Sequence, residues 1–237
     1  MRAFLRLLLA VSFLLAAIAT AANSGGADHS STVQLMEARY GTARTLQVSF
    51  LERYMQNGKF VRAEAGEAYF LRPGKMRWDY QSPEKNIFVV DGTYTWFYSP
   101  ADRTATRVPT KLSDDWRTPL AFLTSHIKLS KLCAKIEQQN EGAAELGDVL
   151  FRCELRGAPD DKLKADAQGK ESVLFEVSAE GDLRRLMVHQ EAGIDMEFSF
   201  TGWKWNPVLD KSLFQFTPPR GVAIVDGLLP ESTGVRQ

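Results

Sequence analysis

Two cysteines, three histidines and two acid pairs are the groups in this sequence suited to redox, metal or acid–base work. His29, His126 and His189 are scattered along the chain, in contexts that offer neither a shared metal nor a nucleophile to activate. Asp114-Asp115 and Asp160-Asp161 sit in loop-like stretches between apolar segments, so they read as solvated carboxylates rather than a general acid and its base. No G-x-S-x-G, H-E-x-x-H, P-loop or G-x-G-x-x-G motif occurs. The expectation is a protein with no catalytic residue, no metal and no cofactor. Nucleic acid is also an unexpected partner, because 29 basic against 29 acidic residues lacks the basic surplus that phosphate contacts require.

The cysteines point to a cross-link instead. If 128–138 and 149–155 pair as a hairpin centred on Ala143, Cys133 falls opposite Cys153. Directly opposed residues on neighbouring strands lie ~4.5–5.5 Å apart at Cα, within reach of a disulfide. The alternative is two buried free thiols.

The elements that position these groups are mostly strands. Ser31 and Gln34 form a capping-box pair, followed at helical spacing by Val33, Met36 and Tyr40, which predicts a short amphipathic helix ending near Gly41. From Gln47 the period becomes two. Asn57-Gly58 separates strands at 47–56 and 59–72, and Asp91-Gly92 separates 87–90 from 93–98, both as two-residue hairpin turns. At 75–80 the alternation is clean, with Met76, Trp78 and Tyr80 on one face. Further strands are expected at 128–138, 149–155, 172–178, 183–190 and 194–200, and a second short helix at 118–125 begins with Pro119. About ten strands in one meander must curl, either closing into a barrel or folding over the two helices. The fold class is therefore mainly β, an incomplete antiparallel barrel or half-barrel with a short-helix lid over an apolar interior.

The N-terminus is an export signal. Arg2 and Arg6 precede an apolar run from Leu7 to Ala17, and small residues follow, placing cleavage between Ala19 and Ala22. The run is shorter than the ~20 residues that span a bilayer. Residues 1–22 are read as signal peptide and 23–30 as linker, so the mature chain is exported and unanchored. Without Arg2 and Arg6, 27 basic residues face 29 acidic ones.

What dominates the remainder is aromatic and apolar: Phe50, Phe70, Met76, Trp78, Tyr80, Phe88, Trp96, Phe97, Tyr98, Phe122, Trp203 and Trp205. Each fits an ordinary core. Together they could equally line a ligand cavity, and the sequence does not decide between a filled and an open interior.

Arg72-Pro73-Gly74-Lys75-Met76-Arg77-Trp78-Asp79-Tyr80, then Pro83, Asp91-Gly92 and Trp96-Phe97-Tyr98-Ser99-Pro100, resemble the signature of the periplasmic outer-membrane lipoprotein carrier (LolA) family. In the same order, Leu46 to Phe50 resembles its first strand, Thr118-Pro119-Leu120 a lid helix, and 213–222 its C-terminal strand. The resemblance runs from about Val33 to Asp226. It implies a carrier-like domain at 31–226; the tail at 227–237 is short and contains Gly and Pro, so no ordered extra strand is expected there. The resemblance further implies a periplasmic monomer that takes lipoprotein acyl chains from an inner-membrane ABC transporter and delivers them to an outer-membrane receptor, breaking no bond.

By the same resemblance, Arg72 is the lid gate, following Phe70 in alternation and so facing the barrel mouth. Phe50, Phe70, Met76, Trp78, Trp96, Leu120 and Phe122 are the expected acyl-chain contacts. The sequence departs from the family pattern at Glu52, where glutamine is usual, at Met76, where an aromatic is commoner, and in carrying Cys133 and Cys153. The alternative is a LolA-like domain for another lipid or for sensing envelope stress. A hydrolase is disfavoured by the missing nucleophile motif.

Overall fold

The computed structural model describes residues 29–110, 122–124, 128–139, 142–143, 145–156, 172–190 and 193–227. The signal-peptide reading, the acid pairs, His126 and Leu120 fall outside them.

Twelve strands form one open, curved sheet. In chain order they are β1 (Thr45–Gln56), β2 (Lys59–Leu71), β3 (Lys75–Ser82), β4 (Ile87–Val90), β5 (Tyr94–Ser99), β6 (Thr104–Pro109), β7 (Cys133–Gln139), β8 (Val149–Leu155), β9 (Ser172–Val177), β10 (Leu183–Gln190), β11 (Ile194–Trp205) and β12 (Ala223–Asp226). Their spatial order is β12-β6-β5-β4-β3-β2-β1-β11-β10-β9-β8-β7. Neighbours are antiparallel except for β12, which lies parallel to β6. The single meander expected from the sequence is thus two meanders, β1 to β6 and β7 to β11, joined where β11 returns to pair with β1. The sheet stays unclosed, with β12 and β7 at its edges.

Local chemistry explains the best-predicted part. Asn57 and Gly58 both take positive φ, 51° and 72°, the geometry of the turn that matches strand twist. Gln56 accordingly opposes Lys59, and after one irregularity between Tyr54 and Met55 the two strands pair regularly down to Thr45 and Leu71. At the next hairpin the turn sits one residue later than expected. Asp91 donates its N–H to the Tyr94 carbonyl, leaving Gly92 and Thr93 at the tip, and the Asp91 carboxylate accepts from the N–H groups of Thr93 and Tyr94.

Three other expectations are corrected. Leu129–Leu132 forms a short helix, α2, ahead of β7. The C-terminal strand lies at Ala223–Asp226 rather than 213–222, which begins in a 3-10 turn (Lys211–Phe214) and carries two prolines that cannot donate to a ladder. The N-terminal helix, α1 (His29–Thr42), starts two residues inside the expected linker, so Ser31 lies in its first turn rather than ahead of it.

Cys133 and Cys153 are joined by a disulfide, with Cα atoms 5.3 Å apart. They are not directly opposed as the hairpin arithmetic required. Cys133 faces Leu155 and Cys153 faces Ile136, because a bulge after Cys133 shifts the register. The bridge pins β7 to β8 across a connection of nine residues, 140–148. By loop-closure entropy its loss costs about 3 kcal/mol. Replacing both cysteines with serine should lower the urea midpoint accordingly without changing the far-ultraviolet spectrum, as equilibrium unfolding would record.

Candidate functional site

The concave face is built from alternate residues. Leu46, Val48, Phe50 and Tyr54 of β1, Ala68 and Phe70 of β2, and Met76, Trp78 and Tyr80 of β3 are all buried there, joined by Phe198 and Phe200 of β11. The rings touch edge to face or tilted: Phe50 with Trp78 at 4.7 Å, Phe50 with Tyr80 at 5.2 Å, and Trp78 with Phe198 at 5.7 Å between centroids. On the β8–β9 side Phe151 and Phe175 stack at 5.3 Å. Among the described residues this face is occupied by its own aromatic side chains. Glu52 is its conspicuous polar member, buried and accepting a 3.1 Å hydrogen bond from the Tyr80 hydroxyl.

The mouth of this bowl is covered by α1 and by a short segment at 122–124. On α1, Val33, Met36 and Tyr40 point inward at helical spacing, and all three are buried. Tyr40 is packed between Trp203, Trp205 and Phe122, and its hydroxyl oxygen accepts the Leu183 N–H at 2.9 Å. Arg39 pairs with Asp182 at 2.6 Å and lies over the Trp205 ring. Gly181 takes φ +84° against Leu35 and Met36, so the β9–β10 turn is moulded to the helix. Helix α1 is therefore anchored to the β9–β10 end of the sheet.

Burial pushes the Tyr40 phenol well above 10.0. Tyr40→Phe keeps the ring and strands the Leu183 N–H, which costs about 1–2 kcal/mol. Thermal unfolding should therefore begin earlier. The sign of the linkage is fixed by the raised value: the stability from neutral Tyr40 is complete below pH 10 and is lost as pH climbs through the folded-state pKa. An alkaline titration should show α1 loosening only above pH 10.

Arg72 ties the two parts of the cover together. It sits just beyond β2, on the Phe70 face. Its Nη1 donates to the Gly41 carbonyl at 2.8 Å, near the end of α1. Its Nε donates to the Leu123 carbonyl at 3.1 Å, and Nη2 reaches the Phe122 carbonyl at 3.5 Å. The Gly74 N–H adds a bond to Thr124 at 2.9 Å. The Gly41 carbonyl lies in the last turn of α1, where intrahelical donors run out, and a planar guanidinium with several donors can reach it and the 122–124 carbonyls at once. Burial pulls the Arg72 pKa down from 12.5, which still leaves it charged.

Residues 41–217 match the family model described as "Outer membrane lipoprotein carrier protein LolA". The chain belongs to the LolA family. Among its relatives, an "Outer-membrane lipoprotein carrier protein" from Nitrosospira multiformis is 28% identical over 200 residues, covering 83% of this chain and 89% of the relative. One from Chromobacterium violaceum is 28% identical over 217 residues, covering 90% and 97%. An uncharacterised conserved protein from Thermus thermophilus shares the fold at a TM-score of 0.50 and 12% identity, covering 84% of this chain and 99% of that one.

Within this LolA-family fold, Phe50, Phe70, Met76, Trp78 and Phe122 all lie in the interior cluster. Trp96 does not, which corrects the expectation. It packs with Val89 and Ala105 on the opposite face, beneath Phe216, and its Nε1–H donates to Asp91 at 3.1 Å. The interior residue of β5 is Phe97, opposite Phe88, which in turn opposes Trp78. Either placement of the hairpin turn pairs even-numbered residues of β4 with odd-numbered residues of β5, so parity alone would have found Phe97. Met36 and Tyr40 are buried in the same cluster, as the amphipathic stripe of the first helix predicts, whereas Phe151, Phe175, Phe198 and Phe200 are interior groups that the sequence reading does not name. The alternation of Met196, Phe198 and Phe200 was the available signal for β11. His189 pairs with Asp195 at 2.7 Å, away from the bowl.

Proposed function

We propose that this protein carries lipoproteins across the periplasm, holding their acyl chains in the aromatic bowl beneath a cover latched by Arg72. The observation that carries this reading is the three-way contact of Arg72 with carbonyls on both parts of the cover, set over an interior of apolar rings. The matched relatives named as outer-membrane lipoprotein carriers support it. On this reading the chain is exported by its N-terminal signal, receives cargo from an inner-membrane transporter and surrenders it to an outer-membrane receptor. No covalent step is involved.

Burial energetics suit a reversible carrier. One methylene moved from water into an apolar site is worth about 0.8 kcal/mol, so a long acyl chain alone would gain on the order of 10 kcal/mol. A gain that large would hold cargo irreversibly. Among the described residues the rings of the bowl pack on one another, so entering chains must displace ring–ring contacts and separate the Arg72 latch. Both costs reduce the net affinity, and both are returned when cargo leaves.

The test is to purify the protein from a periplasmic extract and identify its bound ligand by mass spectrometry, then offer it to outer-membrane vesicles. Bound triacylated lipoprotein that transfers is the expected result. Another bound lipid would favour the lipid-binding or stress-sensing alternative, and turnover of an ester substrate would overturn the carrier reading.

A further inference from the structure

Trp78 is a fully enclosed ring of the bowl. It is fully buried, with Phe50, Phe70, Phe198 and Phe200 around it at centroid distances of 4.7, 6.1, 5.7 and 6.4 Å. Across the sheet its neighbours are Ala68 on β2 and Phe88 on β4. Among the described residues its indole Nε1–H has no hydrogen-bond partner. The contrast with two other tryptophans is informative. Trp96 gives its N–H to Asp91, and Trp203 gives its own to the Leu183 carbonyl at 2.8 Å.

A buried donor left without an acceptor costs about 1–3 kcal/mol, and phenylalanine would fill an apolar bowl without that cost. Buried polar groups in folded proteins overwhelmingly find partners, so an exception inside a binding interior marks a place where a ligand supplies one. Hydrocarbon cannot accept a hydrogen bond. An ester or amide carbonyl at the head of an acyl chain can, and it would arrive with an apolar tail suited to the surrounding rings.

We infer that the Nε1–H of Trp78 donates to an acyl carbonyl of the bound lipid, making this protein select acyl esters or amides over alkyl chains of equal length. This rests on the carrier reading above and adds to it a chemical preference that ring packing alone does not give. Trp78 is thereby a specificity residue: it reads the linkage, while the phenylalanines take the chain.

The experiment compares two synthetic lipopeptides that differ only in linkage, a dipalmitoyl diester and the matching dihexadecyl diether. Both are titrated into wild-type protein and into Trp78→Phe. Wild type should bind the diester about five- to tenfold more tightly, the size of one net hydrogen bond. Trp78→Phe should bind the two alike. Equal affinities in wild type, or a preference that survives in Trp78→Phe, overturns the inference while leaving the carrier reading intact. Failure of wild type to bind either lipopeptide overturns both. Should the variant not fold, wild-type protein labelled with nitrogen-15 at its indoles provides the second measurement. One buried indole N–H resonance should move downfield with the diester and not with the diether, and identical shifts with both ligands would overturn the inference.

Discussion

Arg72→Leu is expected to give a folded carrier that loads cargo and holds on to it. The guanidinium makes one good bond to α1 at Gly41 and one to the 122–124 segment at Leu123, with a longer third contact to Phe122. Hydrogen bonds from a charged donor contribute about 1.5–3 kcal/mol each when buried. Arg72 is only part-buried, so the whole set is discounted to about 2 kcal/mol in favour of the closed cover. On the proposed carrier reading, cargo binds the open form and the closed form competes with it. Removing the latch lifts that competition, so apparent affinity rises by up to about 30-fold and the drive to release falls by the same factor. Global folding should persist, because the sheet and the anchoring of α1 through Tyr40 and Asp182 do not depend on Arg72. The measurement is transfer of a bound lipoprotein from the purified variant to outer-membrane vesicles. Arg72→Lys should fall between the two, since a point-charge ammonium cannot span carbonyls on both parts of the cover. Transfer of cargo by Arg72→Leu at the wild-type rate would sink the latch.

Where side chains and turns are local, the sequence was readable. Alternation put Met76, Trp78 and Tyr80 on one face, and the structure buries all three. The Asn57-Gly58 hairpin followed from backbone preference alone. Arg72 could be placed at the mouth because it shares a face with Phe70 at the end of a strand. Long-range pairing was not readable in this way. Nothing in the local pattern of β1 says that its partner is β11, more than 130 residues away, and so the filling of the bowl by Phe198 and Phe200 was missed. The β7–β8 register failed for a different reason: a bulge after Cys133 adds a residue that an assumed symmetric hairpin cannot foresee. Strand β6 (Thr104–Pro109) was overlooked because its threonines and arginine carry little apolar alternation. Strand β12 has only one partner and four exposed residues, so it has no inward face for a sequence pattern to record. Trp96 is the instructive site error. Hairpin parity assigns the inner face of β5 to the odd-numbered residue, Phe97, which opposes Phe88.

Gly66→Ala should cause the largest loss of stability among single substitutions in the bowl, about 3 kcal/mol or more, with the unfolding midpoint lowered by roughly 10 °C. Gly66 lies on β2 between Phe50 of β1 and Tyr80 of β3. A Cβ there would meet the Asp79 carbonyl oxygen at 2.0 Å and the carbonyl carbon at 2.9 Å, with the Phe50 ring at 3.0 Å. The first two are backbone, so no rotamer change relieves them. The close approach lies at the irregularity between Ala65 and Gly66, where Ala65 opposes Ser82 and Gly66 opposes Tyr80, leaving Gln81 as an extra residue on β3. It also serves the interior. With no side chain at Gly66 and only a methyl at Ala68, Phe50 can cross β2 and pack on Trp78 and Tyr80 of β3, a strand that β1 does not border. Phe50→Leu combined with Gly66→Ala separates the two causes. If the ring were the obstacle, the smaller side chain would restore stability. Because the carbonyl is the obstacle, the double variant should remain as unstable as Gly66→Ala, or become more so by the lost ring contacts. A calorimetric midpoint for Gly66→Ala within a degree or two of wild type would show that β3 can slide off β2 freely. In that case the Phe50–Trp78 contact would be a consequence of soft packing rather than of the glycine.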